Sequence, residues 1–344
     1  MRIAQVLGTL LLLTTLAAIE NTSAHNITDN LSMVNASDPV AWYNRGETLF
    51  NLSKYNESLE AYNKAIELNQ SYAAAWSRKG RVLRSLGNYN ESLRAYDKTI
   101  QLNPKLEWPW AGKGYIFFVM GKYNESIQAY DEAIQLDPKD ADAWGAKGLA
   151  LYNQGKYNES IQSYDNAIVL DSTFSGAWNG KGTAFSRQGK YDEAIRACDQ
   201  AIRLNPNLAE AYNNKGTALD NQGKYGDATK AYDKAIQLKP DYAEAWCNKG
   251  IALGGQGKND EAIQAFDNAI QLNPNLADAW YNKGIALGGQ GKYDEAIQAF
   301  GKAVQLKPDY AMAYYSKGVA LNLLGRTSES NAAFAKAKEL GYKG

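Results

Sequence analysis

From residue 39 onward the apolar positions of this chain recur every 34 residues, and each period holds two stretches with helical spacing. In 277–310, Trp280, Gly284 and Leu287 stand at i, i+4 and i+7, one face of a helix. Ala296, Ile297, Phe300, Ala303 and Val304 form a second such face. Gly291-Lys292-Tyr293 separates the two with a turn signal. Lys307-Pro308 stops the second, because the residue before a proline is pushed out of helical geometry. The pattern predicts a helix, a tight turn, a second helix opening at Asp294 and a short link. Asp294 and its equivalents Asn56, Asn90, Asn124, Asn158, Asp192 and Asp260 are expected to cap the second helix. Gly284 is expected to let the pair approach closely opposite Phe300, which must offset a helix penalty of about 1 kcal/mol.

The aromatic that heads the first stripe marks the register. It is Trp42, Trp76, Trp110, Trp144, Trp178, Trp246 and Trp280, with Tyr212 and Tyr314 on the two remaining beats, and a glycine follows each four residues later. Aligned from Pro39, nine units follow without a gap: 39–72, 73–106, 107–140, 141–174, 175–208, 209–242, 243–276, 277–310 and 311–344. A period of this length is the mark of a solenoid, in which each unit packs only on its neighbours. The 344 residues would otherwise suggest two or three globular domains.

Trp, Gly, Leu, Tyr, Ala, Tyr or Phe, Ala and Pro at these spacings resemble the tetratricopeptide repeat, over the whole of 39–344. The resemblance implies an all-α fold, a right-handed superhelical solenoid of nine helix–turn–helix repeats. It also implies a concave groove lined by first helices and a role in binding proteins or extended peptides. The lysine and asparagine arrangement with which some members clamp a C-terminal carboxylate is missing at the matching positions, which disfavours a chaperone-tail adaptor. One departure is systematic. Where the family usually has leucine before the glycine, this chain has Arg45, Lys79, Lys113, Lys147, Lys181, Lys215, Lys249, Lys283 and Lys317. In an antiparallel pair that position should face Asp97, Asp131, Asp165, Asp199, Asp233 or Asp267, with Asn63, Gly301 and Ala335 breaking the series. Two outcomes are open: a Lys–Asp ladder that fixes register, or a row of solvated lysines.

The last unit carries Asn331 and Lys338 where the others are almost all aliphatic, as expected of a polar closing face. Phe334 and Leu340 leave apolar surface there, so end-to-end self-association is a further expectation.

Charge names no partner, since 37 basic and 37 acidic residues balance without long blocks, and no nucleic acid is expected. Cys198 and Cys247 fall in different units and are expected as free thiols, Cys198 in a buried slot and Cys247 on the groove side. With one histidine, His25, and no metal-ligand spacing, nucleophile motif or phosphate loop, neither a cofactor nor an enzymatic activity is expected. Residues 1–24 read as a secretory signal: Met1-Arg2, an apolar run from Ile3 to Ile19, and Thr22-Ser23-Ala24 for cleavage. The alternative is an uncleaved membrane anchor. Either would put the chain outside the cytoplasm, as an extracellular, cell-surface or periplasmic protein with no other membrane contact. Residues 25–38 form a polar linker, in which the sequons at Asn26, Asn30 and Asn35 are the expected glycosylation sites. The sequons at Asn56, Asn90, Asn124 and Asn158 coincide with the expected capping position.

Specificity should reside in first-helix positions that the framework does not dictate. Arg78, Arg81 and Arg84 lie along one face, followed by Trp108, Tyr115 and Phe118, then Tyr152 and Asn153, then Arg187. This basic and aromatic series suits an acidic or aromatic peptide, against the plainer reading of solvated arginines and inter-repeat packing. Asn248, Ile251 and Gly254-Gly255, with Asn282, Ile285 and Gly288-Gly289, leave the seventh and eighth units nearly bare. Those asparagines either hold a peptide main chain or reflect duplication alone. The expected function is an exported interaction scaffold, the alternative a self-associating component of an envelope or extracellular matrix.

Overall fold

The structure is a computed structural model that describes residues 36–343. The proposed signal segment, His25, most of the linker and Asn26, Asn30 and Asn35 lie outside the described residues. Among those described there are eighteen helices and no strand. They fall into two compact units, one ending at Ala146 and one starting at Lys147. Within each unit, a first helix such as Ala277–Gly289 packs on its second, Tyr293–Leu306, and the second packs on the first helix of the next repeat.

The turn inside each pair depends on glycine. Gly291 sits at φ 76°, a left-handed conformation that costs other residues energy, and in the first repeat Ser53 takes that place at φ 58°. The second helix then begins at Tyr293, one residue before the expected start, with Lys292 at the cap making no side-chain capping bond. Asp294 and its equivalents are therefore not caps, a correction to the sequence expectation. They lie inside the first turn, past the cap position, where the negative charge of Asp192, Asp260 and Asp294 suits the helix dipole. Several link repeats instead: Asn158, Asp192 and Asp260 accept from the amides of Gln188, Gln222 and Gln290 at 2.7, 2.8 and 2.8 Å.

Glycine also sets the spacing of each pair. A Cβ built on Gly250 would lie 2.6 Å from Cε1 of Phe266, and one on Gly284 would lie 2.6 Å from Cε1 of Phe300. Only a residue without a side chain lets the ring lie flat against the first helix. Beside this contact the hydroxyls of Ser58, Ser126 and Ser160 donate to the carbonyls of Gly46, Gly114 and Gly148 at 2.8, 2.8 and 2.7 Å. Ser92 does the same to Gly80. These four buried serines are the third residues of the sequons at Asn56, Asn90, Asn124 and Asn158, which gives those triplets a structural reason to recur.

Successive repeats are tied by the tryptophans and the basic residue three positions later. Trp76 Nε1 donates to the Gln70 carbonyl at 2.9 Å and Trp280 Nε1 to that of Pro274 at 3.1 Å, anchoring the link before each first helix. Lys113 Nζ stands 4.9 Å from the Trp110 ring centroid and 2.5 Å from Asp97. Lys215, Lys249 and Lys283 pair in the same way with Asp199, Asp233 and Asp267 at 2.7, 2.6 and 2.6 Å. The ladder is real, but each rung joins a first helix to the second helix of the preceding repeat, where an antiparallel pair alone would have kept it within one repeat. Each rung is partly exposed and contributes about 0–1 kcal/mol. At the position that would pair with Lys79 the preceding repeat has Asn63 instead of an acid, and burial lowers the Lys79 pKa against the opposing pull of Glu91.

Both cysteines are free and buried. Cys198 fills the ring slot opposite Gly182. Cys247 does not lie on an open face, as expected from sequence, but in a core cluster with Leu253, Phe266 and Ala279. Asn331 and Lys338 are exposed on the last helix, while Phe334 is half-buried against Tyr315 at 5.4 Å and Tyr342 stacks on Tyr315 at 4.3 Å.

Two adjacent glycine positions should respond in opposite directions. Gly250→Ala drives a methyl into the Phe266 ring and should lower stability in urea melts by about 1–3 kcal/mol. Gly254→Ala, with nothing within 4 Å of its new Cβ, should raise it by up to about 1 kcal/mol through helix propensity. Equal shifts would refute the close-approach account.

Burial pushes the thiols of Cys198 and Cys247 from 9.0 up to about 12. Their contribution to stability is intact below the unfolded value near 9 and is lost as pH climbs toward 12, since the unfolded thiols ionise first. At pH 8 iodoacetamide should leave the native chain unlabelled and add two groups after denaturation, as read by intact mass.

Candidate functional site

In the first unit, first helices Ala73–Ser85 and Trp108–Val119 and second helices Tyr89–Leu102 and Tyr123–Leu136 enclose a cavity of about 510 Å3. Spacing of three places Arg78, Arg81 and Arg84 on one helical face, and all three line it. Trp108 and Tyr115, 37% and 45% exposed, supply rings from the next first helix. The floor is Tyr96, wedged between Gly80 and Gly112, on either of which a Cβ would lie 2.7 Å from its ring. Asp140, the last residue of the third repeat, and Asp142, at the start of the fourth, also line the cavity.

The arginines are not equivalent. Arg78 Nε lies 3.1 Å from Glu47 Oε1 and donates to the Tyr43 hydroxyl at 3.4 Å, so its charge is matched. Arg81 lies with Cζ 4.5 Å from the Phe50 centroid, and Arg84 with Cζ 4.8 Å from that of Tyr115. Neither has a carboxylate partner among the described residues. The rings cover guanidinium faces and leave the in-plane N–H groups for a ligand. The charges converge on Tyr96. Burial raises its phenol pKa, and Arg84, Ser92, Arg81 and Arg78 each pull it back. Burial likewise raises Tyr130, with Arg84 opposing. Ser77 also lines the cavity, is 1% exposed, and its Oγ has no hydrogen-bond partner.

Five of the residues singled out from sequence thus meet at one site: Arg78, Arg81, Arg84, Trp108 and Tyr115. Phe118 does not line the cavity and packs on Tyr123 at 5.7 Å. Tyr152, Asn153 and Arg187 belong to the other unit. There Arg187 Nε donates to Tyr152 Oη at 2.8 Å, which holds its pKa above the usual value, and Asn153 binds the Leu149 carbonyl of its own helix. Sequence reasoning missed Tyr43, Ser77, Tyr96, Tyr130 and the two aspartates. Tyr96 and Tyr130 recur with the period and so read as framework, while Ser77 is the one serine among the residues that follow the beat aromatics.

On the first-helix face of the second unit, Asn214 donates to Asn179 and Asn248 to Asn213, both at 3.0 Å, while Asn282 binds the Asp278 carbonyl. These side-chain amides serve the array itself. Gly284, Ile285, Gly288, Val319 and Leu323 line an apolar hollow of about 250 Å3. No group of acidic, histidine or cysteine side chains arranged to hold a metal occurs among the described residues, and no helix among them is long and apolar enough to cross a membrane.

Three family models match the chain. One described as "Tetratricopeptide repeat" covers 39–72, 73–106, 243–276 and 277–310, and a second of that description covers 179–243. One described as "TPR repeat" covers 114–155 and 148–189. Together they span well over half of the chain. Among solved structures, the APC/C hetero-tetramer Cut9-Hcn1 aligns over 96% of this chain and 80% of its own, at 17% identity and a TM-score of 0.59, a likeness of fold. MamA protein aligns over 50% of this chain and 93% of its own, at 29% identity and a TM-score of 0.43. YrrB, described as a TPR protein with an unusual peptide-binding site, aligns over 56% and 98%, at 26% identity and a TM-score of 0.44. Comparison with curated proteins gives no match.

Proposed function

The chain belongs to the tetratricopeptide repeat family, and we propose that it is an exported interaction scaffold whose first unit captures peptide segments carrying an anionic group beside an aromatic one. The observation that carries this reading is the pair Arg81 and Arg84, each laid on a ring and neither matched by a carboxylate. Arg81 is exposed and Arg84 half-buried, and neither has an ion-pair partner, so an incoming anion gains their attraction without displacing a carboxylate and the site favours negative ligands. Trp108 and Tyr115 offer rigid aromatic surface beside those charges, the residue types that anchor most interfaces. The cavity volume lies in the usual range for ligand sites. Export rests on the apolar run from Ile3 to Ile19 and the small residues before His25. N-terminal sequencing of the protein recovered from its host should begin at His25, and a start at Met1 would contradict cleavage.

The site is tested by calorimetry with a short peptide holding glutamate between two tryptophans. The double substitution Arg81→Ala and Arg84→Ala should weaken binding at least about tenfold, the value of one or two charge-assisted hydrogen bonds. Arg187→Ala, in the other unit, should leave it unchanged. Raising salt from 50 to 500 mM should weaken the wild type more than the double variant. Equal affinity of wild type and double variant would sink this assignment.

A further inference from the structure

Resting on the peptide-binding reading above, we propose that the anion for which the first-unit cavity is built is a phosphomonoester on a peptide side chain, best carried by a tyrosine. Charge counting comes first. Arg78 is matched by Glu47, which leaves Arg81 and Arg84 as two cations with no ion-pair partner, although Asp140 and Asp142 line the same cavity. A carboxylate returns one charge, whereas a phosphomonoester carries about −1.5 to −2 near neutrality. Donor geometry points the same way. Two guanidinium edges and, just behind the cavity wall, the orphaned Ser77 hydroxyl make three donor groups, a match for three phosphoryl oxygens and one more than a carboxylate can serve well. Ser77 is nearly wholly buried and its Oγ has no hydrogen-bond partner, so turning that hydroxyl toward the cavity would let a ligand oxygen satisfy it.

The acidic residues of the lining disfavour the competing ligand. Asp140 and Asp142 would repel a second acidic group, so a run of carboxylates laid across the cavity meets like charge at its far end. One compact dianion at the arginine end avoids that. An aryl ring attached to it would meet Trp108, which is substantially exposed, or the face of Tyr115 that Arg84 leaves uncovered.

The test uses the full chain and five probes in calorimetry: a glycine-flanked phosphotyrosine peptide, its sulfotyrosine and glutamate counterparts, phenyl phosphate and inorganic phosphate. The phosphopeptide should bind at least about tenfold more tightly than either counterpart. Its affinity should rise from pH 5.5 to 7.5 as the second phosphate proton, with pKa about 6, is lost. Arg81→Lys and Arg84→Lys keep charge and fold but not the guanidinium fork, and each should cost several-fold. Ser77→Ala should weaken the phosphopeptide several-fold and the glutamate peptide hardly at all. Phenyl phosphate or inorganic phosphate binding as tightly as the phosphopeptide would overturn the peptide source. Equal binding of phosphotyrosine and glutamate peptides would overturn the phosphate inference and leave the peptide-binding reading standing. Failure of every peptide would overturn both.

Discussion

The contact on which this structure depends is the ring of the second helix, replaced by Cys198 in the fifth repeat, lying against a glycine of its first. At Gly250 and Gly284 the approach is so close that one added carbon would sit 2.6 Å from the facing ring. Glycine in a helix is unfavourable by about 1 kcal/mol, so the sequence accepts that loss once per repeat in return for burying an aromatic. A fully buried aromatic is worth about 1.5–3 kcal/mol, enough to exceed the loss. With interhelix distance fixed this way, the serine hydroxyls of the early repeats reach the glycine carbonyls, and the second helices present their aspartates to the lysines of the following repeat.

The links between repeats are polar where the link within a repeat is apolar. Tryptophan holds the preceding loop through its indole N–H, and its ring supports a lysine whose ammonium reaches back to the previous repeat. Individually these contacts are weak, since they are part-exposed. Their value lies in direction: an apolar face tolerates sliding, while an ammonium on a carboxylate and a glutamine amide on an aspartate specify one register. Gly301 in place of an acid, and Asn63 likewise, remove two rungs without interrupting the helices on either side. The period of the fold is thus carried by the rings and the ladder only refines it.

That division explains what was legible in the sequence. The helix pairs, the turn glycine and the glycine-to-ring contact could be read because each recurs with local spacing. The ladder was legible as a pairing of residue types but was placed in the wrong pair. Lys215 meets Asp199, sixteen residues earlier, and choosing that partner over one in the same repeat needs the three-dimensional stacking. The capping role given to Asp294 failed for a smaller reason: the turn ends one residue sooner, so a residue with the right chemistry stands one step inside the helix. Within the site, Arg78, Arg81 and Arg84 stood out because they break the period. Tyr96 and Tyr130 did not, because a wall residue that is also a framework residue leaves no irregularity to find.

The framework rings nevertheless record which stretch of the first-helix face is polar. Fifteen residues before each ring stands the first-helix residue it can meet, as Tyr62 meets Glu47 and Tyr232 meets Thr217. In the seventh to ninth repeats that residue is Ile251, Ile285 or Val319, and the ring is phenylalanine. In the second and third it is Arg81 or Tyr115, and the ring is tyrosine. A buried phenol needs polar company, because an unpaired hydroxyl costs about 1–3 kcal/mol, so tyrosine is retained only where the face above can satisfy it. Leu149 with Tyr164 is the exception. The apolar hollow around Ile285 and the arginine-lined cavity over Tyr96 are therefore extensions of the core chemistry beneath them. A framework position that cannot choose a partner still limits what kind of partner its repeat can hold.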